Sequence, residues 1–190
     1  MNTADSINKT SPFEPEIIEK LKAGDRLSIS GIVYTARDAA HRRMAAALAA
    51  GEELPFDIAG QTLYYMGPSP ARPGQVIGAA GPTTSGRMDA YTPPLLVAGL
   101  RVMIGKGSRS DEVKEAIRKH HAVYLVTFGG AGALLSKAIR KAEVVAYPEL
   151  GTEAVRRLEV VDFPAIVAND IHGNDLFIQN RKLYQQIRER

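Results

Sequence analysis

The 190-residue chain has no cysteine and no tryptophan, and only 6% of its residues are aromatic. Lack of cysteine excludes a disulfide framework, a thiolate nucleophile and any cysteine-held zinc or iron–sulfur cluster within the chain itself. So few aromatics leave little for the stacking platforms that hold single-stranded nucleic acid. No apolar run approaches the roughly 18–20 residues that span a bilayer. The polar stretch from Met1 to Pro15 also lacks the hydrophobic centre of a signal peptide. A cytoplasmic protein without membrane contact is therefore expected. Basic residues are not massed either: the formal net charge is +3 and the cations are spread along the chain. That disfavours a nucleic-acid partner and leaves small anionic ligands open.

What is present is a 45% hydrophobic composition, enough to bury a core. It suits one globular α/β domain over residues 13–190, behind a flexible tail over residues 1–12 that is rich in Asn, Thr and Ser. Ile17, Ile18 and Leu21 recur at helical spacing, and Arg26 to Val33 alternates as a strand. The alanine-rich stretch Ala39 to Ala50 predicts a helix capped by Thr35 or Asp38 and stopped by Gly51. Its first turn carries His41-Arg42-Arg43, against the helix macrodipole, so these charges serve something other than the helix. Short strands are expected at Thr62 to Met66 and Val76-Ile77, and a partial helix within Met88 to Leu100, with Pro93-Pro94 in its first turn. Arg101 to Ile104, Ala122 to Phe128 and Val144 to Tyr147 read as strands. Helices Ser110 to His120 and Ala133 to Lys141 separate them, an order that predicts βαβ units. Thr152 to Leu158 reads as a short helical or extended segment. Ala165 to Ala168 and Leu176 to Ile178 are expected to flank a hairpin turn, with a closing helix from Leu183 to Arg190.

Three motifs invite a ligand. Gly105-Lys106-Gly107-Ser108 suggests a phosphate loop, but the Walker pattern needs a Gly where Leu100 stands and a Ser or Thr where Gly107 stands. Gly130-Ala131-Gly132-Ala133-Leu134-Leu135, with Glu149 downstream, is an incomplete dinucleotide fingerprint; the plainer reading is a tight turn that needs Gly for close packing. Gly81-Pro82-Thr83-Thr84-Ser85-Gly86-Arg87-Met88-Asp89 offers three consecutive hydroxyls between glycines and a guanidinium fork. It reads as an anion-holding loop or as a polar turn. Arg37-Asp38-Ala39-Ala40-His41 places Asp38 and His41 at i, i+3, either as a functional pair or as a cap and an exposed ring.

Taken together, the motifs occur in an order. Gly31 to Arg43 is followed by Leu54-Pro55-Phe56-Asp57, Tyr65-Met66-Gly67-Pro68, Gly81 to Asp89, Ile104-Gly105-Lys106-Gly107 and Asp162-Phe163-Pro164-Ala165. This set resembles the β subunit, or equivalently the C-terminal domain, of the iron–sulfur-dependent class I fumarases and L(+)-tartrate dehydratases, from Gly24 to Phe177. The resemblance implies an α/β fold of the swivelling β/β/α kind, with a mixed sheet and flanking helices. It implies a hydro-lyase acting on a C4 dicarboxylate, fumarate and (S)-malate first, with L(+)-tartrate or a mesaconate-type diacid as the alternative. A [4Fe–4S] cluster would be held by a cysteine-bearing α subunit and not by this chain, in an α2β2 heterotetramer. Arg37, Arg87 and Lys106, with Thr84, would bind carboxylates. Thr83 would be the base, His41 a second proton carrier, and Asp38 and Asp89 supporting residues. One departure stands out: Arg156 occupies a position where relatives often carry Trp.

Overall fold

The structure, a computed structural model, describes residues 6–188. Seven strands form one sheet: β1 (Ile7–Ser11), β2 (Arg26–Thr35), β3 (Thr62–Tyr64), β4 (Val102–Gly105), β5 (Val123–Val126), β6 (Ile139–Ala146) and β7 (Val155–Asn169). Strands β2 to β5 pair side by side in parallel, as the strand–helix–strand pattern predicts. The long β7 runs antiparallel to both β2 and β5, so β2-β3-β4-β5-β7 closes into a ring. The α/β expectation, with a mixed sheet and flanking helices, holds.

The period-2 alternation of a strand sorts side chains between two cores. Tyr64, Val102, Ile104, Val123, Leu125, Leu158, Val160 and Val167 point into the ring and pack with Leu27, Ile29 and Phe163. Their neighbours Leu63, Tyr65, Met103, Tyr124 and Ala168 point outward. Three helices cover these outer residues: α2 (Asp38–Ala49), α3 (Thr92–Val97) and α4 (Asp111–Lys119). They contribute Met44, Leu95, Leu96, Val113 and Ile117. A further helix, α1 (Pro15–Lys20), sends Ile18 into the inner core.

Several expectations are corrected. The segment taken as a flexible tail contains β1, which pairs parallel to β2 over Ile7–Ser11; residues 1–5 lie outside the described residues. Its side chains are mostly polar because backbone pairing holds this edge strand, so no apolar pattern betrays it. The close approach at its end needs Gly31, since a Cβ there would sit 2.3 Å from the Ser11 carbonyl oxygen. The helix expected from Ala133 to Lys141 stops after one turn, α5 (Gly132–Leu135), and a 3-10 turn, Ser136–Ala138. β6 then starts at Ile139 and runs antiparallel to β7, which breaks the second βαβ unit. Val76-Ile77 is not a strand, although Ile77 plugs the inner core. Leu176 to Ile178 does not return as a hairpin strand. It opens α6 (Leu176–Arg188), whose first N–H groups at Phe177 and Ile178 are bonded by the Asp175 carboxylate.

β7 runs through Pro164, which the sequence reading placed before a strand. Proline is tolerated there because β6 leaves this edge at Val160 and β5 joins it only at Ile166. The Pro164 carbonyl points to that same edge, where Thr127 Oγ1 donates to it at 2.8 Å, so the missing N–H falls in the gap between the two strands.

Candidate active site

The candidate residues gather where open α/β sheets place their ligands, beyond the carboxyl ends of parallel strands. β2 leads through Ala36 into Arg37 and the N-terminus of α2. β3 leads through Tyr65 and Met66 to Gly67, and β4 ends at Gly105-Lys106. The loop from Gly81 is laid across these ends. Pro82 bridges Met66, Thr84 bridges Lys106, and the Thr83 N–H donates to the Tyr65 carbonyl at 2.7 Å. The Ser85 N–H donates to the Lys106 carbonyl at 2.9 Å, and the Lys106 N–H returns a bond to Ser85 Oγ at 3.2 Å. A Cβ at Gly105 would stand 1.9 Å from that same oxygen, so β4 must end in glycine for the loop to dock. The hydroxyl run then continues into a 3-10 turn, Ser85–Tyr91, that carries Arg87 and Asp89.

Behind the loop lies a residue that the motifs did not mark. The Arg109 side chain is fully buried, and its Nε donates to Asp89 Oδ1 at 2.7 Å. Its Nη2 donates to Thr92 Oγ1 at 2.8 Å, and the guanidinium lies against the Tyr65 and Tyr124 rings, 5.3 and 4.9 Å from their centroids. Asp89 also accepts from the Ser110 N–H at 2.6 Å. Asp89 therefore supports the loop by anchoring it to the start of α4, where the Ser110 hydroxyl accepts the Val113 N–H.

On the facing side, Arg87 Nε lies 2.7 Å from Asp38 Oδ1, and Arg37 Nη2 lies 3.5 Å from Asp38 Oδ2 and 3.6 Å from Glu153 Oε1. Glu153 is a second residue missed in the sequence, 114 positions from Ala39. Its carboxylate, rather than Thr35 or Asp38, accepts the Ala39 N–H at the start of α2, at 2.7 Å. Gly67 makes room for this arrangement: a Cβ there would meet Arg37 Cδ and the Thr152 carbonyl oxygen, both at 2.8 Å. Arg156 closes the 3-10 turn Pro148–Glu153 by donating to the Gly151, Thr152 and Ala154 carbonyls. The basic cluster divides its work. Arg43 pairs with Glu149 of that turn and covers the Tyr147 ring, while Arg42 is exposed.

His41 is buried, not exposed. Desolvation lowers its pKa to about 4, against the opposing effect of the Arg37 carbonyl. The ring is therefore neutral near pH 7, with Nδ1 donating to that carbonyl at 3.0 Å. It is oriented by the Arg37 backbone and by the edge of Tyr65, whose centroid is 4.7 Å away, and not by Asp38, which is turned to the arginines. Its Nε2 has no hydrogen-bond partner among the described residues. Arg37 Nε and Asp38 Oδ2 are likewise buried and unbonded, so three such atoms lie within one turn at the start of α2. Unsatisfied buried groups cost free energy and are uncommon away from functional sites.

Backbone pairing thus sets Thr83 beside Tyr65 and Thr84 beside Lys106, while ion pairs join Arg87, Asp38 and Arg37. Thr84, Gly86 and Gly107 are exposed there, and the Arg87 side chain is 55% exposed. Basic groups and hydroxyls thus meet at these strand ends, with Asp38 and Glu153 paired to the arginines. A cavity of about 450 Å³ at the β2–β7 junction, lined by Arg26, Ser28, Asp162 and Pro164, contains none of these groups. No group of three or more His, Asp or Glu side chains among the described residues is placed to hold a metal ion. With no cysteine, the residues of this chain do not fit an iron–sulfur cluster. The incomplete dinucleotide fingerprint has a packing role: a Cβ at Gly132 would lie 2.9 Å from the Gly81 nitrogen, and the Gly132 carbonyl accepts the Ala80 N–H. No helix among the described residues is long and apolar enough to cross a membrane.

Comparison with known proteins points the same way. A family model described as the fumarase C-terminus matches residues 2–180. The chain is 44% identical over 156 residues to the anaerobic class I fumarate hydratase of Escherichia coli, covering 81% of this chain but 28% of that protein. It is 40% identical over 178 residues to the mitochondrial fumarate hydratase 1 of Leishmania major, covering 91% of this chain and 32% of that protein. Against the putative L(+)-tartrate dehydratase subunit beta of Methanocaldococcus jannaschii it is 37% identical over 179 residues, covering 90% of this chain and 92% of that protein. The chain thus spans about a third or less of the fumarate hydratases and nearly all of the subunit.

Proposed function

The chain belongs to the fumarase C-terminal family, and from that premise we propose that it is the β-type part of a class I hydro-lyase. In this reading residues 13–190 form the catalytic unit, with β1 added to its sheet. The enzyme reversibly adds water to a C4 dicarboxylate, most simply fumarate to give (S)-malate, with L(+)-tartrate or a mesaconate-type diacid as the substrate alternative. The [4Fe–4S] cluster belongs to a cysteine-bearing α partner in a cytoplasmic α2β2 assembly. Bound by the partner's cysteines, it would supply Lewis-acid chemistry.

The reading is supported by the docking of the hydroxyl loop across the strand ends, which sets Thr84 beside Lys106 and brings Arg87 to Asp38 and Arg37. Elimination of water requires removal of a weakly acidic C–H proton beside a carboxylate. The electron pair left behind spreads onto that carboxylate as an aci form, which fixed positive charge stabilises. Arg37, Arg87 and Lys106 provide the charge, and Thr84 a hydroxyl beside it. Thr83 Oγ1 has no hydrogen-bond partner among the described residues, so it is free to meet that proton. A hydroxyl is a weak base unless its alkoxide is stabilised, and the neighbouring cations supply that stabilisation. His41, buried and neutral, serves to hold Arg37 through its backbone. Asp89 sets the loop that bears Arg87.

The test is anaerobic co-expression with a cysteine-bearing α partner, followed by hydration assays on several diacids. Activity in the pair and none in the isolated chain is expected. Full activity of the chain alone would refute the divided site.

A further inference from the structure

We propose that Asp38 is a positioning residue for Arg87, gripping the guanidinium by its Nε edge so that the two terminal nitrogens face the substrate carboxylate. The inference rests on the functional reading above. Arg87 stands on a 3-10 turn and its side chain is 55% exposed, so nothing in its own element fixes where the fork points. The shortest approach between the two groups is an ion pair, with Asp38 Oδ1 2.7 Å from Arg87 Nε. A fork held at Nε keeps its terminal pair of N–H groups in the geometry that matches a carboxylate.

Asp38 is itself well placed to act as a fixed handle. It is the first residue of α2, where the helix dipole favours a negative charge. It makes no capping bond, because Glu153 takes the Ala39 N–H. Its second oxygen, Oδ2, is buried without a hydrogen bond and lies 3.5 Å from Arg37 Nη2. One carboxylate therefore stands behind both arginines, and its charge lies on the Nε side of Arg87. Ordering Arg87 before substrate arrives removes a cost that would otherwise be met on binding.

Two measurements test this. In the isolated, 15N-labelled full chain, the Arg87 Nε–H signal (assigned with Arg87→Lys) is expected to be protected from exchange. Protection should persist in Asp38→Asn, which keeps an acceptor, and be lost in Asp38→Ala. An unchanged signal in Asp38→Ala overturns the proposal whether or not the chain proves to be a hydro-lyase. In the assembled enzyme, Asp38→Ala should raise KM by about two- to a hundredfold, the range for directly coupled pairs, and lower kcat less. Asp38→Asn should recover part of the loss, and Asp38→Ala should cost clearly less in an Arg87→Ala background than in the wild type, leaving only its effect through Arg37. Additive losses, as a merely structural Asp38 would give, also overturn it. Failure of the wild-type assembly to hydrate any diacid would count against the functional reading, while the Nε–H signal still decides the role of Asp38.

Discussion

Replacing Arg109 by methionine removes the fixture behind the hydroxyl loop while keeping most of the apolar stem. The guanidinium is wholly buried, bonded to Asp89 and Thr92 and laid against two tyrosine rings. The Asp89 side chain, only 13% exposed, would keep the Ser110 N–H but lose its counter-charge. Breaking a buried pair by removing one partner costs about 3–5 kcal/mol, because the remaining charge is left desolvated. With a urea dependence of about 2 kcal/mol per molar, the midpoint should fall by roughly 1.5–2.5 M. A domain with about 5–15 kcal/mol of stability can survive that loss, so the variant should be measurable as a folded protein. Urea unfolding of the isolated chain, followed by circular dichroism, gives the number. Because most of the cost is the stranded carboxylate, adding Asp89→Asn to Arg109→Met should recover part of it. A loss below about 1 kcal/mol, or no recovery in the double variant, would refute the account of Arg109 as the anchor of the loop.

Other expectations follow from the same geometry. His41 titrates at about 4 when folded and 6.5 when unfolded, so the unfolded chain binds more protons between those values and stability falls as pH drops from 6.5 to 4. The loss should reach roughly 3 kcal/mol at about 1.4 kcal/mol per pH unit, and His41→Gln should flatten it in urea titrations at several pH values. Gly67→Ala puts a methyl group 2.8 Å from Arg37 Cδ and the Thr152 carbonyl oxygen. It should cost about 1–3 kcal/mol and raise KM in the assembled enzyme; an unchanged KM would show that Arg37 need not lie where it does. Thr83→Ala should lower kcat by about a hundredfold or more, the usual contribution of a general base, with little change in KM. Wild-type kcat in that variant would remove Thr83 from the role of base.

The two lists of candidates, one from motifs and one from geometry, overlap in an instructive way. Arg87, Lys106 and the hydroxyl run stood out as candidates because glycines that permit close approach flank them, and Arg37 because it stands at a strand-to-helix junction. Arg109 and Glu153 carry no such pattern. Arg109 looks like one more loop cation until the fold buries it against two tyrosines. Glu153 becomes a helix cap only because a turn 114 residues away lies beside α2. His41 was read as exposed or as paired with Asp38, since i, i+3 spacing puts both on one face. Packing against Tyr65 decided otherwise, sealing the ring from water and leaving Asp38 to the arginines.

By itself, the sequence determined the inventory of chemistry and most of the parallel half of the sheet. Apolar periodicity marks β2, β4, β5 and the helices beside them, because burial on a given face demands it every second or every third to fourth residue. The absence of cysteine leaves this chain no thiolate with which to hold an iron–sulfur cluster. Only the tertiary structure decided how the ring closes and what the charges do. β1 and the run of β7 through Pro164 depend on backbone pairing with distant strands, which leaves little trace in side-chain pattern. The same contacts bring α2 against the hydroxyl loop, so that Asp38 answers to Arg87 and Asp89 to Arg109, each across an element and not along it. Which acid serves which base is a matter of distance through space, and chain order does not encode it.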